Sequence, residues 1–245
     1  MLFRSENASP EVESLLFYRG IGHFTAPLTT SLTNDGNGLV LKNSGPEPLN
    51  NLFVLQVAGG RASFTYLKNL SPGDTTTVGL TCRRVWQSPA EVAERLAAEM
   101  SRALVSEGLF EREAAAMVKT WRDSWFAEPG VRVLYTLPRA WTDRTLPLTI
   151  TPTPRKTVRV MVGRAEVITP ATEAAVLGQL KKFIAATPAD RAQIATDTRA
   201  LGLGRFLEPT VRRLAGRIPG PQFSTLSWEF LTQASTPAAV ATQFE

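Results

Sequence analysis

The chain has a single cysteine, Cys82, and a single histidine, His23, and this scarcity excludes several classes of site. One cysteine cannot form an internal disulfide, and zinc and non-haem iron sites draw on several His or Cys ligands. We therefore expect no metal and no cofactor. Cys82, near a predicted strand end, is expected to be a small buried hydrophobe. His23 lies in an aromatic segment, where a hydrogen-bonded structural role is expected.

Catalytic motifs are also missing. There is no G-x-S-x-G elbow, and Gly20-Ile21-Gly22 and Gly202-Leu203-Gly204 are too short for a phosphate-binding loop. The segment Asn34–Gly38, NDGNG, lacks the D-x-D-x-D-G spacing of a calcium loop and is better explained as a turn.

No apolar run approaches the roughly 18 residues that span a membrane. Residues 1–14 lack the basic start, apolar core and cleavage site of a signal peptide, so the chain as written is expected to be cytoplasmic. The net charge of +5 is concentrated on the C-terminal helices. Nucleic-acid binders cluster charge far more densely, so a nucleic-acid partner is not favoured.

What is present begins with short predicted strands separated by turn residues, at intervals of about ten residues. An irregular first strand is expected over 15–24, and the hairpin turn Asn34–Gly38 joins the next two strands. The remaining predicted strands are Leu28–Leu32, Gly38–Asn43, Asn51–Val57, Arg61–Leu67 and Thr75–Leu80. This spacing is typical of an antiparallel sandwich. The run LVLKNSGPEPLNNLFVLQV with LKNLSPGDTTTVGL resembles immunoglobulin-like bacterial modules, which implies a fold and no activity.

After Trp86 the apolar period changes to that of helices. Ser88–Glu91 forms a capping box, and a helix follows whose stripe is Val92, Leu96, Met100, Ala103 and Leu104. Gly108 ends it, and a second helix is predicted over about 110–126, with Phe110, Ala114, Met117, Val118, Trp121 and Trp125 in register. Pro129-Gly130 stops that helix.

The rest of the chain mixes strands and helices. Val131–Leu137 is predicted to be a strand with alternate residues on one face, Pro138–Arg144 a loop, and Leu146–Ile150 and Val158–Val162 two further strands of a small sheet. Three helices are predicted, opening at Thr169-Pro170, at a second capping box Thr187–Asp190, and at about Phe206. The predicted fold class is α+β, with an immunoglobulin-like antiparallel β-sandwich over 1–85, a helix-rich α+β domain over 86–217, and a partly ordered tail over 218–245.

Several longer segments resemble an uncharacterised family of bacterial proteins of the cell envelope, of which this chain would be the C-terminal half. The segments are LLFYRGIG, EAAAMVKTWRDSWF, RVLYTLPRAWTDRTLPL, VRVMVGRAEVITP and ALGLGRFLEPTVRRL. The resemblance implies an exported parent protein, and hence a periplasmic or extracellular place if the chain is a truncated member. It implies no activity and no catalytic residues.

One set of residues is a candidate site. Asp123 and Trp125 lie near a helix end, and Arg139, Trp141, Asp143 and Arg144 follow in the PRAWTDR segment. If that segment folds back, two carboxylates would face each other beside tryptophan platforms, as in glycosidases. The plainer interpretation is that the tryptophans are core residues and the charges form surface ion pairs.

The sequence therefore favours a non-enzymatic interaction or structural module of the bacterial envelope, whose partner is an unknown protein or envelope polymer. Two alternatives stay open. One is a hydrolase acting on carbohydrate with carboxylates near Trp125 and Trp141. The other is a binder of anionic polymers through the basic C-terminal helices.

Overall fold

The computed structural model describes residues 24–80, 86–217 and 221–235, with 221–224 as backbone, and also the backbone of residues 2–3 and 11–12. These residues form a mixed α+β fold with seven α-helices and sheets of two, three and four strands, so the coarse α+β prediction is confirmed. The strands are β1 (Leu2–Phe3), β2 (Glu11–Val12), β3 (Leu28–Leu32), β4 (Gly38–Asn43), β5 (Leu49–Ala58), β6 (Arg61–Leu70), β7 (Thr75–Gly79), β8 (Gly130–Thr136) and β9 (Val162–Val167). The α-helices are α1 (Pro89–Ser106), α2 (Glu111–Arg122), α3 (Arg139–Thr145), α4 (Pro170–Ala185), α5 (Pro188–Ala200), α6 (Leu207–Ala215) and α7 (Pro221–Ala234).

The three-stranded sheet has the order β3-β4-β7, and both pairings are antiparallel. The predicted hairpin turn joins β3 to β4. Its Asp35 carboxylate accepts hydrogen bonds from the Thr33 hydroxyl (2.5 Å) and the Asn37 backbone N–H (3.0 Å), and Gly36 takes a φ of +70°. These bonds lower the pKa of Asp35 and satisfy its oxygens within the turn, as expected of a turn rather than a calcium loop.

Asn43, at the end of β4, connects the turn over residues 43–45 to the turn over residues 70–74. Its buried side-chain amide donates to the backbone carbonyl of Leu70 at 3.0 Å, and its amide oxygen accepts from Gly45 N–H at 2.9 Å. Its backbone carbonyl also accepts from Gly73 N–H at 3.0 Å. One buried asparagine therefore ties two distant turns together, and a buried amide needs such partners.

The four-stranded sheet has the order β6-β5-β8-β9, so it takes two strands from before residue 86 and two from after it. The immunoglobulin-like sandwich of residues 1–85 is not confirmed. A β1–β2 pair was not predicted, and the predicted first strand over 15–24 lies almost wholly outside the described residues, as do His23 and Cys82.

Strand β8 is buried on both faces. The strand lies between β5 and β9, so neither of its edges is open, and strands buried on both faces have nearly continuous apolar sequences. Even Arg132 is fully buried, and its guanidinium lies 5.2 Å from the centre of the Phe206 ring.

The segment after β8 departs from the prediction in three places. The predicted loop Pro138–Arg144 is mostly helix α3, which Pro138 precedes and which an Arg139–Asp143 pair one turn apart supports. Residues 147–150 form no strand; Pro147 lacks a backbone N–H, and Arg159 donates to the Leu146 carbonyl. The last strand begins at Val162, where Val158–Val162 was predicted to end.

Helix α1 follows the prediction closely. Ser88 and Glu91 form the reciprocal capping box, and every residue of the predicted stripe is buried. Gly108 ends the helix with a φ of +107°. Helix α2 stops at Arg122 and continues as one π-helical turn over Asp123–Ala127, and Phe110 precedes the helix instead of joining its apolar face.

The chain divides into two compact units. The first comprises residues 1–55, 60–127 and 133–165, and the second comprises 56–59, 128–132 and 166–245. Both units are discontinuous in sequence. The division into domains over residues 1–85 and 86–217 and a tail over 218–245 stays a prediction.

Helices α4 to α7 of the second unit pack around one apolar cluster. Its buried members are Val176, Leu180, Phe183, Ala195, Leu207, Val211, Leu214, Phe230, Leu231 and Ala234. Three of these lie on α7, a helix that was not predicted. The second capping box is corrected, since the Thr187 hydroxyl donates to the Asp190 carboxylate at 2.6 Å and caps no backbone N–H.

Candidate functional site

The structure brings Arg139 and Asp143 together on one face of α3, in the first unit. Arg139 Nε lies 2.5 Å from Asp143 Oδ2, and Arg159 Nη1 lies 2.9 Å from Asp143 Oδ1. Both carboxylate oxygens are thus held by guanidinium groups. The hydrogen bond from Arg139 is the largest cause that lowers the pKa of Asp143, and Arg159 adds to it. Asp143 is therefore ionised at neutral pH and has no proton to give to a leaving group.

Arg144, on the last turn of the same helix, points to a different partner. Its Nη1 donates to Glu47 Oε1 at 2.8 Å, and this ion pair raises the pKa of Arg144. Glu47 lies in the loop between β4 and β5. The ion pair therefore links α3 to that loop, and the positive charge of Arg144 is already paired with Glu47.

The predicted tryptophan platforms are not exposed. Trp141 and Trp125 each keep only 6% of their surface. Trp141 packs edge-to-face on Phe24, with ring centres 5.3 Å apart, whereas Trp125 stacks on Trp121 at 6.5 Å. Sugar-binding platforms need an open ring face, so both side chains serve as core residues.

Asp123 begins the π-helical turn and is exposed. The structure therefore groups only part of the predicted set: Arg139 with Asp143, and Arg144 with Glu47. Trp125 and Asp123 belong to the turn after α2, with other neighbours.

A surface that the sequence did not mark as a site lies at the turn between α1 and α2, also in the first unit. Phe110 is 78% exposed, the most exposed large apolar side chain among the described residues, and Val105 and Val158 are each 38% exposed. Val158 lies against Gly108, because a Cβ built there would come within 3.3 Å of Val158 Cγ1. We call Val105, Phe110 and Val158 the Gly108 patch.

A network of hydrogen-bonded polar side chains holds the end of α1 next to this patch. Asn51, in β5, has a φ of +52°, which is rare for a residue with a side chain. Its amide nitrogen donates to Glu107 Oε1 at 3.0 Å, and its amide oxygen accepts from the Tyr66 hydroxyl at 2.8 Å. The Thr136 hydroxyl donates to the same Glu107 oxygen at 3.2 Å. Since Glu107 immediately precedes Gly108, the network fastens the end of α1 to β5, β6 and β8.

The same network raises the pKa of Tyr66, first through burial and then through the negative charges of Glu99 and Glu107. The Tyr66 hydroxyl therefore stays protonated and donates its hydrogen bond across the neutral range. Four hydrogen-bonded polar side chains therefore lie at the end of α1, next to the turn that carries Phe110.

Within the described ranges no group of three or more His, Cys, Asp or Glu side chains is placed to hold a metal ion. None of the helices in those ranges is both long and apolar enough to span a bilayer. Comparison of the chain with protein-family models, with curated proteins and with solved structures found no match.

The sequence missed the Gly108 patch for a definable reason. Phe110 fits the helical spacing of the Ala114 and Val118 stripe, so periodicity predicts a buried side chain. The overlooked signal was Glu113, whose carboxylate accepts from the Phe110 N–H at 2.8 Å and thereby fixes Phe110 as the residue before the helix.

Proposed function

We propose that the chain is a non-enzymatic interaction module that binds a partner protein through the Gly108 patch. The observation that carries the proposal is the 78% exposure of Phe110. Covering an exposed aromatic side chain with a partner removes apolar surface from water, which favours binding. Such side chains contribute much of the binding free energy of protein interfaces. The network around Asn51 holds the turn in place, which lowers the entropic cost of binding.

The two alternatives receive less support from the structure. The hydrolase reading needs an open pair of carboxylates, whereas both Asp143 oxygens are taken by guanidinium groups and Trp125 and Trp141 are buried. Among the basic residues of the last helices, three are already paired with acids: Arg191 with Glu229, and Arg213 and Arg217 with Glu173. Those charges contribute little to an anionic-polymer surface.

The proposal is tested with a photo-crosslinking amino acid at position 110, in cells that make the protein, and with Asp123, also exposed, as the matched position. We expect an adduct from position 110 and none from position 123. The captured protein is then purified, and its Kd for the chain is measured with Phe110→Ser and Asp123→Ser.

Loss of a central aromatic anchor weakens an interface by about tenfold or more, so Phe110→Ser should raise the Kd by that factor. Asp123→Ser should leave the Kd within about twofold. Equal adducts from both positions, or a Phe110→Ser variant that binds as well as the parent chain, would contradict the proposal.

We also propose that β3 to β7 form an immunoglobulin-like arrangement in the envelope family suggested by the sequence. What supports it is the position of β4 between β3 and β7, with the β5–β6 hairpin inserted in the chain between β4 and β7. A crystal structure in which that hairpin packs face-to-face on the three-stranded sheet would agree. A hairpin that continues the same sheet edge would contradict it. Fractionation of the source cells tests the envelope location.

A further inference from the structure

A cleft opens between α6 and α7 of the second unit, well apart in sequence from the Gly108 patch. It has a volume of about 210 Å³ and is lined by Val211, Arg212, Ala215, Ser227, Trp228 and Leu231. The cleft exists because two small side chains, Ala215 and Ser227, occupy positions of the two helices where larger ones would close the gap. Its walls are apolar, with Val211 and Leu231 both buried.

One polar group of the wall is buried without a partner. Ser227 keeps 2% of its surface, and within the described part of the chain its hydroxyl makes no hydrogen bond. An unmet buried hydroxyl costs free energy, and a ligand that supplies a hydrogen-bond partner recovers it.

The mouth of the cleft carries a positive charge on an aromatic ring. The Arg212 guanidinium lies 4.7 Å from the centre of the Trp228 ring, and Trp228 is 54% exposed. Glu208 Oε1 accepts from Arg212 Nε at 2.8 Å and pairs with Nη2 at 2.7 Å. The third nitrogen, Nη1, has no hydrogen-bond partner among the described residues, so the fork has donors left for an anion.

The geometry points to a binding site for a small monocyclic aromatic carboxylate, with its ring between Val211 and Leu231 and its carboxylate on Arg212 Nη1. Size supports this class, because a dry cavity of about 150 Å³ holds benzene and drug-sized ligands occupy about 300–1,000 Å³. A single ring with a short acidic side chain fits between those limits. A hydroxyl group on the ring of such a ligand would form a hydrogen bond with the Ser227 hydroxyl.

The probe is 3-phenylpropionate, titrated into the full chain and followed by calorimetry and by amide NMR shifts. We expect a Kd on the order of 0.1 mM, as for a ligand of this size. Ala215→Leu fills the cleft and should abolish binding. Ala192→Leu, at an exposed position of α5, is the matched control and should bind like the parent chain. Circular dichroism checks that both variants stay folded.

The contribution of Arg212 is separated by a second pair of measurements. Arg212→Gln should weaken 3-phenylpropionate by about tenfold and leave the neutral 3-phenylpropionamide unchanged. Absence of saturable binding to the parent chain, or equal Kd values for the Ala215→Leu and Ala192→Leu variants, would overturn the inference. Neither result would bear on the proposal that the Gly108 patch binds a partner protein.

Discussion

The PRAWTDR segment and the α6–α7 pair show opposite relations between sequence and site. The first is rich in charge and tryptophan, yet its Asp143 is held by two arginines and its Trp141 is buried. The second was expected to end in a loose tail, yet it contains a cleft with an unmet hydroxyl and an exposed tryptophan. Charged side chains that are close in sequence often pair with each other, whereas a binding site needs polar groups whose hydrogen bonds the fold leaves unmade.

The largest expected effect tests whether α7 belongs to the second unit's core. Phe230 is fully buried and its ring packs on Phe183 at 5.3 Å. Phe230→Ala should lower the free energy of unfolding by about 3–5 kcal/mol, because it removes apolar contact and leaves a cavity. Urea unfolding measures it.

The matched control is Phe110→Ala, which removes the same side chain from an exposed position. It should change the unfolding free energy by less than about 0.5 kcal/mol. Equal effects of the two substitutions would mean that residues 221–234 are a tail after all.

Two glycine substitutions, one in each unit, are expected to have smaller effects on stability. Gly163 in β9 lies under the Tyr135 ring, since a Cβ there would come within 2.6 Å of Tyr135 Cε1. Gly163→Ala should destabilise the chain by about 1–3 kcal/mol through overpacking. Gly178 in α4 has open space around it, so Gly178→Ala should stabilise by about 1 kcal/mol through helix propensity. Thermal unfolding gives both signs, and a tolerated Gly163→Ala would argue against this placement of β9.

Local sequence signals explain which parts of this fold could be predicted. The β3–β4 hairpin and helix α1 were predicted with almost correct limits, because turn residues and a capping box are local signals. The pairing of β5 with β8 could not be predicted, because it depends on contacts distant in sequence. Helix α7 was missed because its few charges and many Ser, Thr and Pro neighbours resemble a tail.

The candidate site was predictable only in its residue types. The PRAWTDR sequence does not show whether Arg139 and Arg159 face Asp143 or a ligand; the structure shows that they face Asp143. The cleft had no sequence signal, since a gap between helices depends on which small residues meet.

The smallest expected effect concerns the Asp143 ion pairs. Because the folded-state pKa of Asp143 is lowered, these pairs contribute stability above the unfolded pKa of about 3.9, and that stability is lost as pH falls through the folded pKa. Asp143→Asn should remove less than about 1 kcal/mol at neutral pH, since the carboxylate is partly exposed. It should also flatten the loss of stability below about pH 4. Stability that falls with acid equally in Asp143→Asn would show that other groups carry the loss.

Covalent labelling of tryptophan by an indole-selective reagent, read by mass spectrometry, tests the comparison most directly. We expect Trp228 to react fast and Trp125 and Trp141 to react slowly in the native chain, because only Trp228 is widely exposed. We also expect 3-phenylpropionate to slow the labelling of Trp228 alone. Fast labelling of Trp125 and Trp141, at a rate equal to that of Trp228, would contradict the account and return the PRAWTDR segment to consideration as an open site.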